Sequence, residues 1–414
     1  MNLAYRPILA HWSKLARRTM LACRTMLARR TLLALCAAAC AGCVHYAPLA
    51  GAYGGPEELP DSIASRYAYP SRALTPESSA VKERRDFVVR DVQLAPAAAG
   101  AAAAADGARG APATTIKFEY YDVGGDEPAP VVLLLPILNG NVRVTRYFAH
   151  YFAEQGYAAL VMDRDREPIP LALQHVEQTL HRNLLDYRRV LDWITTNPRL
   201  DSSKIGVFGI SFGGIDAIML AALDDRVQAV VAGMAGGDLP YLFVNTSYRS
   251  VARQVAREMR QTGLSRDALE ARLDGQLETD PMELAPYVNA EDVLLVMTRS
   301  DWIIPFEAQE ALRLKLGEPE TLVLPTGHRT SVVYFPLVRS SAYDFFARRF
   351  EEIDAERSVP RVSAGNSPSR VAADASAARV AGDASPPPAR SSAAAPAAES
   401  SVAAASGVKS IPPR

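Results

Sequence analysis

Apolar and polar positions fall into alternating blocks along the middle of this chain. Val131-Val132-Leu133-Leu134-Leu135 is a continuous apolar run, as a strand buried on both faces requires. Thr145 to Gln155 has helical spacing and stops at Gly156. Tyr157 to Met162 reads as the next strand. Leu173, Val176, Leu180, Leu184, Tyr187, Leu191 and Ile194 then recur at three- and four-residue steps, which places them on one face of a long helix. The apolar run Ile205–Phe208 precedes a second helix around Ile218–Leu223, and Val227–Ala232, Val293–Met297 and Thr321–Leu324 complete the strands. Repeated strand–helix units predict a mostly parallel sheet with helices on both faces, an α/β fold. Phe87–Ala95 and Thr115–Val123 read as two strands joined by a low-complexity Ala/Gly loop over 96–113. An antiparallel pair there would make the sheet mixed.

One segment breaks the rhythm. Residues 238–290 hold helical patterns around Tyr248–Gln261 and Ser265–Leu273 where a short connection would suffice. They predict either a small helical cap over the site or a peripheral packing insertion. The α/β domain is expected over about 81–356. Residues 44–80, rich in Pro, Ala, Ser and Tyr, read as a tether. Residues 357–414, rich in Ala, Ser and Pro, read as a disordered tail that cannot bury enough surface to offset its ordering entropy.

The first 43 residues form a different kind of pattern. Arg29-Arg30 precedes the apolar run Thr31–Ala39, which is too short to span a bilayer and matches a secretory signal. Met20 and Met26 are plausible true starts. The run ends Ala39-Cys40-Ala41-Gly42-Cys43, and Ala-Gly-Cys resembles a bacterial lipobox, which makes Cys43 the expected lipidated residue. Cys40 stands where the lipobox usually has Leu. Val44 rather than Asp follows, which by resemblance favours the outer membrane. All four cysteines lie in this leader, so the rest of the chain offers neither a disulfide framework nor a cysteine metal site.

Lysine plus arginine (45) nearly balance aspartate plus glutamate (46), and no basic patch of the kind nucleic acids require stands out. Neither H-E-x-x-H nor G-x-G-x-x-G occurs, so no metal and no nucleotide cofactor is expected. The chemistry-bearing motif is Gly209-Ile210-Ser211-Phe212-Gly213-Gly214. It follows a strand and opens a helix, so Ser211 would sit in a sharp turn with its hydroxyl at the sheet edge. Gly209 and Gly213 would leave room for strand and helix to approach, and the helix N-terminus would favour an oxyanion.

A serine hydroxyl needs a base, and the base needs an orienting partner. After Ser211 the chain contains one histidine, His328, just beyond the last strand. His150, His175 and His181 fall on helices and read as surface or packing residues. The acid is expected at Asp301, just past Val293–Met297. Asp292 precedes that strand and would face the wrong edge of a parallel sheet; Asp274 and Asp280 lie in the insertion.

The order Ser211, Asp301, His328 resembles the α/β-hydrolase superfamily, in its dienelactone hydrolase, acyl-esterase and peptidase branches. The resemblance covers roughly Phe87 to Phe350. It rests on 199–214, on Asp301-x-x-Ile304-Pro305 and on Gly327-His328. It implies an oxyanion hole from the N–H of Phe212 and one from the loop Pro136–Asn141, Leu138 first and Ile137 next. Relatives carry His-Gly where this chain has Pro136-Ile137. It also implies a small-molecule acyl ester substrate cleaved through an acyl-enzyme, with peptidase and thioesterase activity as alternatives. Leu138, Phe212, Trp302, Ile303 and Phe306 are candidates for an acyl pocket or for core. A different class remains open: a non-catalytic surface lipoprotein using the fold as a scaffold.

Overall fold

A computed structural model describes residues 44–69, 74–96, 115–138, 140–163 and 175–358. The signal and lipobox, the 97–114 loop and the tail from 359 lie outside the described residues. Ten strands form one sheet: β1 (His45–Ala47), β2 (Leu74–Glu83), β3 (Val88–Pro96), β4 (Ile116–Asp122), β5 (Ala129–Leu135), β6 (Ala158–Met162), β7 (Leu200–Ile210), β8 (Ala229–Gly233), β9 (Val293–Thr298) and β10 (Glu320–Leu324). Their spatial order is β1-β10-β9-β8-β7-β5-β6-β4-β3-β2. From β6 through β10 the neighbours are parallel, whereas β4, β3 and β2 add antiparallel strands at one edge and β1 at the other. The sheet is therefore mixed, as the early strand pair implies.

Alternation along β5 divides the core. Val131, Leu133 and Leu135 pack with one cluster, and Val132 and Leu134 with the other. The first cluster lies under the helices α3 (Val176–Thr196), α4 (Phe212–Leu223) and α9 (Phe306–Lys315). The second lies under α2 (Arg143–Glu154) and the closing helix α10 (Phe335–Ser358). Val338, Ala342, Phe345, Phe346 and Phe350 form the inward stripe of α10. Phe346 is fully buried, a contribution of about 1.5–3 kcal/mol. Its ring packs against β7 at Gly206, where a Cβ would stand 2.7 Å from a ring carbon.

Residues 44–69 depart from the expected tether. They form a strap bound to the domain. His45, Tyr46 and Ala47 pair with Val323, Leu322 and Thr321 of β10. The Tyr53 hydroxyl accepts from Ala290 N–H at 2.9 Å, and Glu57 N–H donates to Pro286 at 2.9 Å. The short helix α1 (Asp61–Arg66) buries Ile63, and Tyr67 is 0% exposed. Tyr67 hydrogen-bonds Thr279 at 2.9 Å and stacks on His181, whose Nε2 meets Arg66 O at 2.7 Å. Tyr69 donates to Asp192 at 2.9 Å. The composition looked loose because isolated aromatic residues, with no periodic run, do the packing. The domain consequently begins well before residue 81.

Between β8 and β9 stand four helices: α5 (Leu239–Asn245), α6 (Arg249–Thr262), α7 (Arg266–Asp274) and α8 (Pro281–Leu284). Asp238, Ser265 and Asp280 cap α5, α7 and α8 by accepting backbone N–H bonds. None of the described helices is long and apolar enough to cross a membrane.

Candidate active site

The parallel strands deliver their C-terminal ends to one edge, and the predicted residues meet there. β7 ends at Ile210, and Ser211 turns the chain at φ 59°, ψ −125° into α4. A non-glycine residue there stores about 1–3 kcal/mol of strain, which the surroundings must hold. Ser211 N–H donates to Gly233 O at 2.7 Å, and the Ser211 carbonyl accepts from Gly214 and Ile215. The flanking glycines are sterically required. A Cβ on Gly209 would stand 2.0 Å from Gly213 O, and one on Gly213 would stand 2.5 Å from Leu135 O.

Asp301 follows β9 and His328 follows β10. His328 Nδ1 lies 2.8 Å from Asp301 Oδ2. The Asp301 side chain is fully buried and every lone-pair direction is engaged: Thr298 Oγ1 donates to Oδ2 at 2.8 Å, and the N–H groups of Ile303 and Ile304 donate to Oδ1 at 2.8 and 3.0 Å. Burial, the largest influence, would raise this carboxyl. The His328 hydrogen bond and charge, with the Ile304 and Ile303 N–H groups, outweigh it and hold Asp301 below the ordinary value of 3.8. It therefore stays ionised beside the imidazole.

Two supporting residues escaped the sequence reading. Gln309 Oε1 accepts from Thr298 N–H at 3.0 Å, and its Nε2 donates to Ile304 O at 2.8 Å. Gln309 thus ties the end of β9 to the loop that holds Asp301, and Thr298 holds the carboxylate itself. The available signal was a polar residue in the inward stripe of α9, beside Ala308 and Leu312. The rejected acids sit elsewhere. Asp292 meets Arg349 and Asn289 before β9, and Asp280 caps α8 and accepts from Leu239 N–H. His150 packs edge-on against Phe87 and Tyr121.

Ser211 and His328 line one cavity of about 300 Å³, walled by Ile137, Leu138, Val144, Met234, Val332 and Phe335 among others. Phe212 opens α4 directly after Ser211, the Pro136 carbonyl stands by Gly213, and Ile137 and Leu138 line the same cavity as Ser211. Leu138 and Ile303 are wall residues, as an acyl pocket requires. Phe212 is core, Phe306 is partly buried under Arg299, and Trp302 is 80% exposed, so these three leave the pocket list. Tyr248 lends the insertion a place in the wall, and Thr246 donates to Ile303 O at 3.1 Å. The 238–290 segment therefore reaches the site. Among the described residues no group of three or more His, Cys, Asp and Glu converges as a metal site would need.

The fold has a solved counterpart. Acetyl xylan esterase 1 from Thermoanaerobacterium sp. superposes with a TM-score of 0.51 at 15% identity, over 70% of this chain and 96% of that one. The chain has the α/β-hydrolase fold. The X-Pro dipeptidyl-peptidase (S15 family) profile matches residues 114–295 of this chain, which takes in Ser211 and ends before Asp301 and His328. Polyketide transferase claH of Penicillium crustosum is 31% identical over 115 residues, 28% of this chain and 37% of that protein. Human acyl-coenzyme A thioesterase 1 is 24% identical over 240 residues, 52% of this chain and 53% of that protein. The chain spans about a third to a half of the length of these two relatives.

Proposed function

We propose that this α/β-hydrolase cleaves a carboxylic ester or closely related acyl bond through an acyl-enzyme on Ser211. The observation that carries this is the 2.8 Å His328–Asp301 hydrogen bond, with His328 lining the same cavity as the strained Ser211. His328 Nε2 takes the Ser211 proton as Oγ attacks the carbonyl carbon. The N–H groups of Phe212 and Leu138, with Ile137 as the other candidate, stabilise the tetrahedral oxyanion. His328 returns the proton to the departing alcohol, and a water activated by the same imidazole releases the acid. Asp301 fixes the imidazole with its proton on Nδ1 and stabilises its charged form.

The cavity wall favours an acyl chain. Its members are mostly apolar, and among the described residues no Asp or Glu lines it, so a free amino terminus finds no counter-charge there. This sets ester or thioester cleavage ahead of the X-Pro dipeptidyl-peptidase activity named by the S15 profile. A series of p-nitrophenyl esters from acetate to octanoate tests both parts. Each added methylene should raise kcat/KM roughly fourfold (about 0.8 kcal/mol) until the cavity is filled. A flat profile would remove the acyl pocket, and wild-type turnover by Ser211→Ala would remove the nucleophile.

The leader pattern supports a location. Export and acylation at Cys43 would make the mature protein a bacterial lipoprotein, with Val44 favouring the outer membrane. Metabolic labelling with a clickable fatty acid, abolished by Cys43→Ala, is the expected result.

A further inference from the structure

We infer, resting on the Cys43 anchor proposed above, that the active-site edge of the sheet is a membrane-docking face for an anionic phospholipid bilayer, and that the substrate is an acyl amphiphile residing in that bilayer. Three independent features of one edge point there.

The first is where the chain enters. β1 starts at His45, two residues after Cys43, and runs antiparallel to β10 with His45 opposite Val323. Val323 is one residue before the end of β10, the strand that leads to His328. The entry point is thus at the same edge as Ser211, Asp301 and His328. Two residues of extended chain span at most about 7 Å. Because the strap is bound rather than loose, an acylated Cys43 holds this edge at the headgroups and leaves no slack for the domain to turn away.

The second is exposed apolar surface on the catalytic loops, which carry the three most exposed large apolar side chains among the described residues. Trp302 adjoins Asp301 and is 80% exposed; Val332 and Val333, in the turn after His328, are 55% and 68% exposed. Tryptophan is the side chain enriched at the bilayer interface, where its ring is half in lipid and half in water.

The third is charge. Arg249, Arg253, Arg257 and Arg260 recur along α6 at four- and three-residue steps, while Val251 and Val255 face inward. None of the four arginines forms an ion pair among the described residues. Glu258, the only acid of α6, is engaged by Arg272. The Ser247 hydroxyl donates to Trp302 O, and Arg249 and Arg329 share a hollow with Trp302, so the start of this basic helix adjoins the apolar loop. A basic amphipathic helix beside an exposed tryptophan fits anionic headgroups. Such docking would pass an acyl chain from the bilayer into the 300 Å³ cavity without crossing water.

The test uses protein purified from membranes. The mass of its N-terminal peptide first reports whether Cys43 is acylated, which judges the anchor separately. The protein is then mixed with vesicles of phosphatidylcholine alone or with equal phosphatidylglycerol, each carrying brominated acyl chains. Trp302 should be quenched and Trp193, packed against Phe118 and Tyr120, should not; Trp302→Phe should remove the quenched component. Glutamine at Arg249, Arg253 and Arg257 should weaken binding of unacylated protein to anionic vesicles by about fivefold per arginine. Acylated, vesicle-bound protein with unquenched Trp302 would overturn the docking face. So would unacylated protein with no preference for anionic vesicles. Arginine variants that raise KM for a soluble ester without altering vesicle binding would also overturn it, assigning the stripe to an anionic substrate.

Discussion

Replacing Asp301 by asparagine changes one atom and isolates the orienting role of the carboxylate. The amide oxygen can still accept from Ile303 and Ile304, the two bonds now made to Oδ1. The amide NH2 then occupies the Oδ2 position, facing Thr298 Oγ1 and His328 Nδ1, which both donate today. The threonine hydroxyl can rotate to accept. The imidazole can comply only by presenting an unprotonated Nδ1, which moves its proton to Nε2 and leaves no base for Ser211. A wrong tautomer of this kind lowers kcat by about 10⁴-fold, or about 5.5 kcal/mol. Packing is unchanged, so stability should fall by no more than about 2 kcal/mol, the loss of one charge-assisted hydrogen bond. Stopped-flow hydrolysis of an activated ester gives kcat and KM separately, and a circular dichroism melt reports folding. Asp292→Asn is the control: it lies before the same strand, on Arg349, and should keep kcat within about twofold while losing about 1–2 kcal/mol. Asp301→Asn retaining a tenth or more of wild-type kcat would refute the assignment.

The glycine spacing makes a second test. Gly213→Ala drives a Cβ to 2.5 Å from the Leu135 carbonyl, backbone against backbone, so α4 and β5 must part. Activity should collapse and stability fall by about 1–3 kcal/mol in a denaturant titration. The bound strap predicts that Tyr67→Ala costs about 3–5 kcal/mol, whereas a loose tether would give almost nothing. Asp224 supplies a pH dependence. Burial, the largest influence, raises its carboxyl, but Arg226 and Arg188 outweigh burial and lower it below 3.8. A depressed folded value means this stability is complete above 3.8 and is lost as pH falls through the lower folded value. The melting temperature should therefore drop below about pH 4, and Asp224→Asn should flatten that drop.

What could be read from the residues follows how each element stabilises itself. The parallel strands were legible because burial on both faces leaves unbroken apolar runs such as Val131–Leu135. Ser211 and His328 were legible because a turn chemistry and a scarce residue type mark them. The strap was not, because its stability comes from single contacts, Tyr53 to Ala290 and Tyr67 to Thr279, made across more than 200 positions. α10 carries a clear stripe from Val338 to Phe350, but it follows the last strand and so falls outside the repeated strand–helix units. Thr298 and Gln309 were invisible because their partners are backbone groups brought together only by the fold. Trp302, open between pocket and core in the sequence, is neither, because the Asp301 loop turns its own N–H groups inward and the tryptophan out.

The most direct measurement treats the purified protein with a fluorophosphonate and maps the adduct by peptide mass spectrometry. A single modified residue is expected, Ser211, with labelling lost in His328→Ala. A folded protein that reacts at another serine, or that labels equally well without His328, would contradict it.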